Sequence, residues 1–294
     1  MINKLKTHFD SLTLYYAGLP SFTRNFSRDT LISGLILSDK NMLRDQLIFC
    51  SLKQGLKKDS YTGEEKGKIH HEYPGVELDG LSTEYNACDT SALFLIAFKK
   101  YLDMTNDFKF LKNYKKNAEL AVSYILSHLK YNVFIETPDL CGAKKFALAC
   151  TYWKDSQLTG RENNQAEYPI VYPLVHIQNM CGLRAAAQFL NKKNLYKISK
   201  KMKEKLNELF DKKTGMFYMA TDKKGKISAI NSDSLHALFY LEKNDLSKEQ
   251  IQKISESAKI LETAAGYRAL DKNFNFKIEY DGYDFQNNVW PFEQ

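Results

Sequence analysis

Apolar residues recur at helical spacing over eight stretches of the chain: Asp29–Leu37, Asn41–Gly55, Asp89–Leu102, Asp107–Lys130, Tyr168–Leu190, Leu195–Phe210, Asp233–Tyr240 and Lys248–Leu261. The stretches fall in pairs. Some connections are short, such as Asp103–Asn106 and Asn191–Asn194. Others are long and rich in Gly, Tyr, Trp and carboxylates, such as Asp59–Cys88, Asn132–Gln165 and Gly266–Val289. Helical hairpins with tight turns on one rim and decorated loops on the other predict a ring of hairpins whose function sits on the long-loop rim. Lys213–Ile227 breaks the pattern, with Thr214-Gly215 and Lys224-Gly225 around Phe217-Tyr218-Met219, and predicts a small β-hairpin inserted between helices. No Pro/Ser-rich linker interrupts the chain, so residues 1–294 are expected to form one domain.

Composition narrows the function classes. The net charge of +7 is carried by lysine, with arginine only at Arg24, Arg28, Arg44, Arg161, Arg184 and Arg268. Nucleic-acid readers lean on arginine, so no nucleic-acid partner is expected. The densest lysine tract, Lys192 to Lys205, places Leu195, Ile198, Met202 and Leu206 on one side of a helix, which makes its lysines a solvated face. Cys50, Cys88, Cys141, Cys150 and Cys181 are scattered and odd in number, without C-x-x-C spacing. That argues against a zinc site or disulfide framework and for a reducing compartment. The N-terminus lacks a secretory pattern, and no segment approaches the ~18 apolar residues of a membrane span. A soluble cytoplasmic protein without a membrane partner is the expectation.

Four segments hold candidate chemistry. In Gly18–Thr30, Asp29 suits a helix cap, and Arg28 beside it equally suits orienting a ligand hydroxyl. The loop Tyr61–Tyr73 gathers Glu64, Glu65, His70, His71 and Glu72; adjacent histidines of an extended segment face opposite ways and no second cluster completes a shell, so no metal is expected. Trp153-Lys154-Asp155 sets a carboxyl beside an indole, where desolvation raises a carboxyl pKa as a general acid requires; a salt bridge of Asp155 to Lys154 is the plainer alternative. Trp290-Pro291-Phe292-Glu293 repeats the aromatic and carboxylate pairing near the end of the chain. Glycoside hydrolysis needs two carboxyls, one protonating the leaving oxygen and one activating water or attacking the sugar, and Asp155 and Glu293 are the candidate pair. Eighteen Tyr and eighteen Phe supply flat faces of the kind on which pyranose rings stack.

These segments together resemble the six-hairpin (α/α)6 glycosidases, in particular the amylo-α-1,6-glucosidase and glucoamylase-like branch. The resemblance rests on Gly18-Leu19-Pro20 through Arg28-Asp29-Thr30 to Ser33-Gly34, on Thr62-Gly63-Glu64-Glu65 through Glu72, and on the helix start Asp89-Thr90-Ser91-Ala92-Leu93-Phe94, where Ser91 and Ala92 depart from the family's Thr and Pro. Trp153-Lys154-Asp155-Ser156 and Val289-Trp290-Pro291 follow in the family's order. The resemblance implies an all-α (α/α)6 toroid and an inverting exo-glycosidase that uses no cofactor and removes terminal glucosyl-type units from α-linked oligo- or polysaccharide. It implies Asp155 as general acid and a base in the C-terminal part, for which Glu293 stands. Arg28, Asp29, Glu72, Asp89, Trp153 and Trp290 would shape the sugar subsite. Eight helical segments fall short of the two per hairpin that a closed ring needs, so the toroid is expected either to be incomplete at its C-terminus or to draw further helices from weakly periodic stretches such as Met1–Tyr16. A binding-only toroid and a helical interaction scaffold are the alternatives to an enzyme. Retention or inversion follows the carboxyl separation, about 5 Å for the former and ~6.5–9.5 Å for the latter.

Overall fold

The computed structural model describes residues 2–154, 167–274, 286, 287 and 289. Among these residues the protein is helix-rich, with helices α1 (Ser27–Leu37), α2 (Lys40–Leu52), α3 (Thr90–Thr105), α4 (Phe108–Ser127), α5 (Pro173–Phe189), α6 (Lys193–Lys203), the short α7 (Leu206–Leu209), α8 (Asp233–Tyr240) and α9 (Lys248–Ala258). Strands among the described residues occur as two-stranded antiparallel pairs.

The helices pack in two layers. α1 lies against α3, α3 against α5 and α5 against α8, while α2, α4, α6 and α9 back onto α1, α3, α5 and α8 respectively. Burial follows the layers: α5 hides nearly every residue from Pro173 to Arg184, whereas α6 hides only Leu195, Ser199 and Met202 and exposes Lys193, Lys197, Lys200 and Lys201. An inner helix has neighbours on both sides and behind, so it is apolar all round; an outer helix needs one apolar stripe. The inner helices form an open row among the described residues, without a closed ring.

Local chemistry sets the rims. Turns from inner to outer helices are short and use left-handed residues: Ser38 (φ 49°), Asn106 (φ 52°) and Asn191 (φ 54°). The outer helices that follow are capped by Asp39, which accepts from the backbone N–H of Asn41 and Met42, by Asp107, which accepts from Phe110, and by the Ser247/Gln250 capping box. Connections back to the inner helices are long, so α1, α3, α5 and α8 begin on the same decorated rim.

Several expectations change. Lys6–Phe9 pairs with Leu12–Tyr15 as a β-hairpin packed on α2, so beyond a 3-10 turn over Ile2–Leu5 the N-terminal stretch supplies strands rather than a further α-helix. The predicted helix over Tyr168–Leu190 starts at Pro173, because Pro169 and the extended Tyr172 precede it and proline suits the first helical turn. The stretch Leu195–Phe210 is broken at Glu204-Lys205 into α6 and α7, and Leu129–Lys130 leaves α4 to pair with Val133–Phe134. The hairpin in Lys213–Ile227 is present as Ala220–Asp222 paired with Gly225–Ile227, and Met216–Phe217 pairs separately with Phe210–Asp211. No helix is long and apolar enough to cross a membrane among the described residues.

Candidate active site

The decorated rim opens into a cavity of about 470 Å³ along the flank of α1. Arg28, Asp29 and Trp153 line one part of it, and Tyr16, Phe22 and Ile32 are among its apolar walls. Arg28 and Asp29 sit in the first turn of α1, which the pairing of Asn25–Phe26 with Glu72–Tyr73 delivers to this position. Trp153 reaches the cavity from the connection between α4 and α5.

The arginine is fixed from α3. Arg28 donates Nε to Asp89 Oδ2 at 2.7 Å and Nη2 to Asp89 Oδ1 at 3.2 Å, with both side chains buried. This bidentate pairing is the strong geometry for a guanidinium and a carboxylate, and it takes two of the five N–H donors that arginine carries. Asp89 is the N-cap residue of α3, yet its side chain makes no cap hydrogen bond because it is committed to Arg28. Glu72 is held on both oxygens: Arg24 Nε donates to Oε2 at 2.6 Å and the Thr83 hydroxyl donates to Oε1. Glu72 and Asp89 are therefore buried carboxylates that orient cations.

Asp29 differs. It is partly buried at the cavity wall, and burial pushes its carboxyl above the ordinary range; the Arg28 charge opposes this while Asp89 and Glu72 add to it. It lies within the first turn of α1 and does not act as the cap, which is Phe26. A carboxyl raised by burial and like charges in a cleft is a candidate functional position.

The Trp153 segment is anchored by a residue that the sequence reading left out. Asp233, at the start of α8, accepts from Tyr152 Oη (3.1 Å), Trp153 Nε1 (2.7 Å) and Lys154 Nζ (2.5 Å). Lys154 thereby makes a salt bridge with Asp233, 79 residues along the chain. Asp233 reads in sequence as a helix start, and nothing local ties it to Trp153. His70 and His71 diverge, as adjacent extended residues do: His70 lies edge-on to Phe49 at 5.3 Å, and His71 edge-on to Phe26 at 5.2 Å. Among the described residues no group of His, Cys, Asp and Glu side chains could hold a metal ion. Behind the rim His128 sets Nε2 3.0 Å from Glu65 Oε2 and Nδ1 2.9 Å from the Ile135 carbonyl, two acceptors that favour the protonated ring. Burial works against that charge, but Glu65 and Glu136 outweigh it and the pKa is raised.

The structure thus brings Arg28, Asp29, Asp89 and Glu72 together at one end of α1, with Trp153 lining the same cavity as Arg28 and Asp29. Asp155, Trp290 and Glu293 lie outside the described residues.

Solved structures share this architecture. A mannosylglycerate hydrolase of family GH63 from Thermus thermophilus, in complex with Tris, superposes with a TM-score of 0.61 at 9% identity, over 92% of this chain and 78% of that one. A rhamnosidase from Klebsiella oxytoca with rhamnose bound gives 0.54 at 13% identity, over 84% of this chain and 43% of that one. A GH78 rhamnosidase from Bacillus sp. GL1 gives 0.54 at 11%, over 81% and 23%. This chain therefore spans less than half the length of either rhamnosidase. At such identities the likeness shows the fold alone, a two-layered row of helical hairpins. No curated protein matches in sequence. The chain belongs to the amylo-alpha-1,6-glucosidase family, whose model matches residues 6–291.

Proposed function

We propose that this chain is a single-domain glycosidase of the (α/α)6 type that removes terminal glucosyl-type units from α-linked oligo- or polysaccharide with inversion. The observation that carries the reading is the cavity on which Arg28, Asp29 and Trp153 converge within a glycosidase-family fold. The indole offers a flat face to the C–H surface of a pyranose, and the Arg28 guanidinium, oriented by Asp89, lines the same cavity beside the sugar hydroxyls. Trp153 stands two residues before Asp155, so the general-acid carboxyl follows directly on the wall residue.

In this mechanism Asp155 donates its proton to the glycosidic oxygen as the C–O bond breaks. Glu293 takes a proton from a water that attacks the anomeric carbon from the opposite face. Asp29, Glu72, Asp89 and Trp290 complete the sugar subsite.

The experiment follows glucose release and its initial anomer by NMR from maltose, isomaltose, panose and maltooligosaccharides, with the chain beside its Asp155→Asn variant. β-Glucose from the parent and none from the variant is the expected result. Equal turnover by Asp155→Asn refutes the acid assignment, and sugar binding without product from either protein assigns the chain a carbohydrate-binding role.

A further inference from the structure

Trp153 sits in a stretch, residues 150–154, with no regular secondary structure, so the direction of its indole is set by side chains. Nearby backbone support comes from Cys88, whose N–H donates to the Thr151 carbonyl at 2.8 Å. What orients the rest is Asp233, whose single buried carboxylate receives donors from the three consecutive residues Tyr152, Trp153 and Lys154. Asp233 is itself braced: its backbone N–H donates to Asn231 Oδ1 at 3.0 Å, and Asn231 Nδ2 donates to the Ala229 carbonyl at 2.9 Å. One turn further along α8, the His236 ring tilts against the indole with centroids 5.0 Å apart, and Lys154 Nζ lies 4.2 Å from the indole centroid. Tyr152 stacks on Tyr172, just ahead of α5, at 4.5 Å.

We infer that Asp233 is a positioning residue for the reaction: it holds Trp153 as the sugar-facing wall and, through Lys154, fixes the chain that leads into Asp155. The inference rests on the reading of Trp153 and Asp155 given above. The physical argument is one of geometry against energy. A buried ion pair such as Lys154 and Asp233 contributes little net stability over a well-packed apolar pair, because desolvation of both charges offsets their attraction. A carboxylate that accepts from an indole N–H, a phenol and an ammonium at once leaves that loop one orientation. Charge-assisted hydrogen bonds of this kind are short and directional. Misplacing a wall or an acid by about 1 Å costs roughly 10²-fold in rate, so the orientation matters more to turnover than the pair does to folding.

The test separates these two contributions in the full chain. Lys154→Met is compared with Lys154→Met combined with Asp233→Leu, the second removing the carboxylate without stranding a buried ammonium. Turnover is read with both indoles present, and indole emission is read with Trp290→Phe added, so that Trp153 is the sole tryptophan. The expected result is one cooperative thermal transition for both proteins, with a changed Trp153 emission spectrum and kcat lowered about 10²-fold in the combined variant. Equal kcat and identical emission overturn the inference. If no version releases glucose, the glycosidase reading fails on its own, and the emission comparison still decides whether Asp233 orients Trp153. If the combined variant does not fold, Asp233→Asn against the parent is read by the same two measurements.

Discussion

Lowering the pH from 7.5 to 5 should destabilise this protein through histidines buried neutral, and His70 isolates the effect. Its ring is fully buried against Phe49 and Tyr73, neither nitrogen has a hydrogen-bond partner among the described residues, and burial, with the nearby Lys53 charge, lowers its pKa to about 3. Unfolding returns the ring to its ordinary value near 6.5. Between those two values the unfolded chain binds a proton that the folded chain does not, so stability falls as the pH falls. Each pH unit is worth about 1.36 kcal/mol, and the 1.5 units from 6.5 to 5 give about 2 kcal/mol for this one ring. His176, lowered to about 4 by burial, adds a similar amount over the same window. His128 has the opposite sign: its folded pKa is raised, so its contribution is complete below pH 6.5 and is lost only as the pH rises through the folded value. It cannot compensate below 6.5. The perturbation is His70→Phe, which keeps a ring edge against Phe49 and removes the titration. The assay is urea unfolding of both proteins at steps from pH 7.5 to 5. The parent should lose about 2 kcal/mol more than the variant over that range. Parallel stability curves would refute a neutral buried His70.

Two further substitutions probe the frame around the site. Asp89→Asn removes the carboxylate that holds the buried Arg28 guanidinium and should cost about 3–5 kcal/mol by urea unfolding, whereas the double variant Arg28→Met/Asp89→Asn should recover most of that stability; an unchanged midpoint in Asp89→Asn would refute the pairing as a frame for the site. Gly67 has φ +91°, and a Cβ there would stand 2.1 Å from the Leu120 carbonyl oxygen on α4. Gly67→Ala therefore forces backbone to move on one side or the other and should cost on the order of 3 kcal/mol or more, read as a lower thermal midpoint; an unchanged midpoint would mean that the loop yields freely.

The helices were legible because their causes are local. Asp39, Asp107 and Ser247 cap from positions next to the helices they start, and Ser38, Asn106 and Asn191 end α1, α3 and α5 within a residue or two. Lys193–Lys203 was readable as an outer helix because one apolar stripe is all that an outer helix buries. Misreadings came where short-range pattern is ambiguous. Lys6–Tyr15 carries too few apolar residues to separate period 2 from 3.6, and Leu195–Phe210 keeps helical spacing through the break at Glu204-Lys205.

The hairpin repeat and, through motifs in order, the glycosidase family were legible in the sequence, because both depend on residues close in the chain or on their succession. The tertiary structure alone decided which side chains meet. Arg28 reaches Asp89 across 61 residues, and Trp153 reaches Asp233 across 80, because α1, α3 and α8 begin on one rim. A carboxylate at a helix start looks the same in sequence whether it caps that helix, holds an arginine or clamps an indole. Packing of the inner helices chooses among these, since a buried charge must find its partner wherever the fold brings one within about 3 Å.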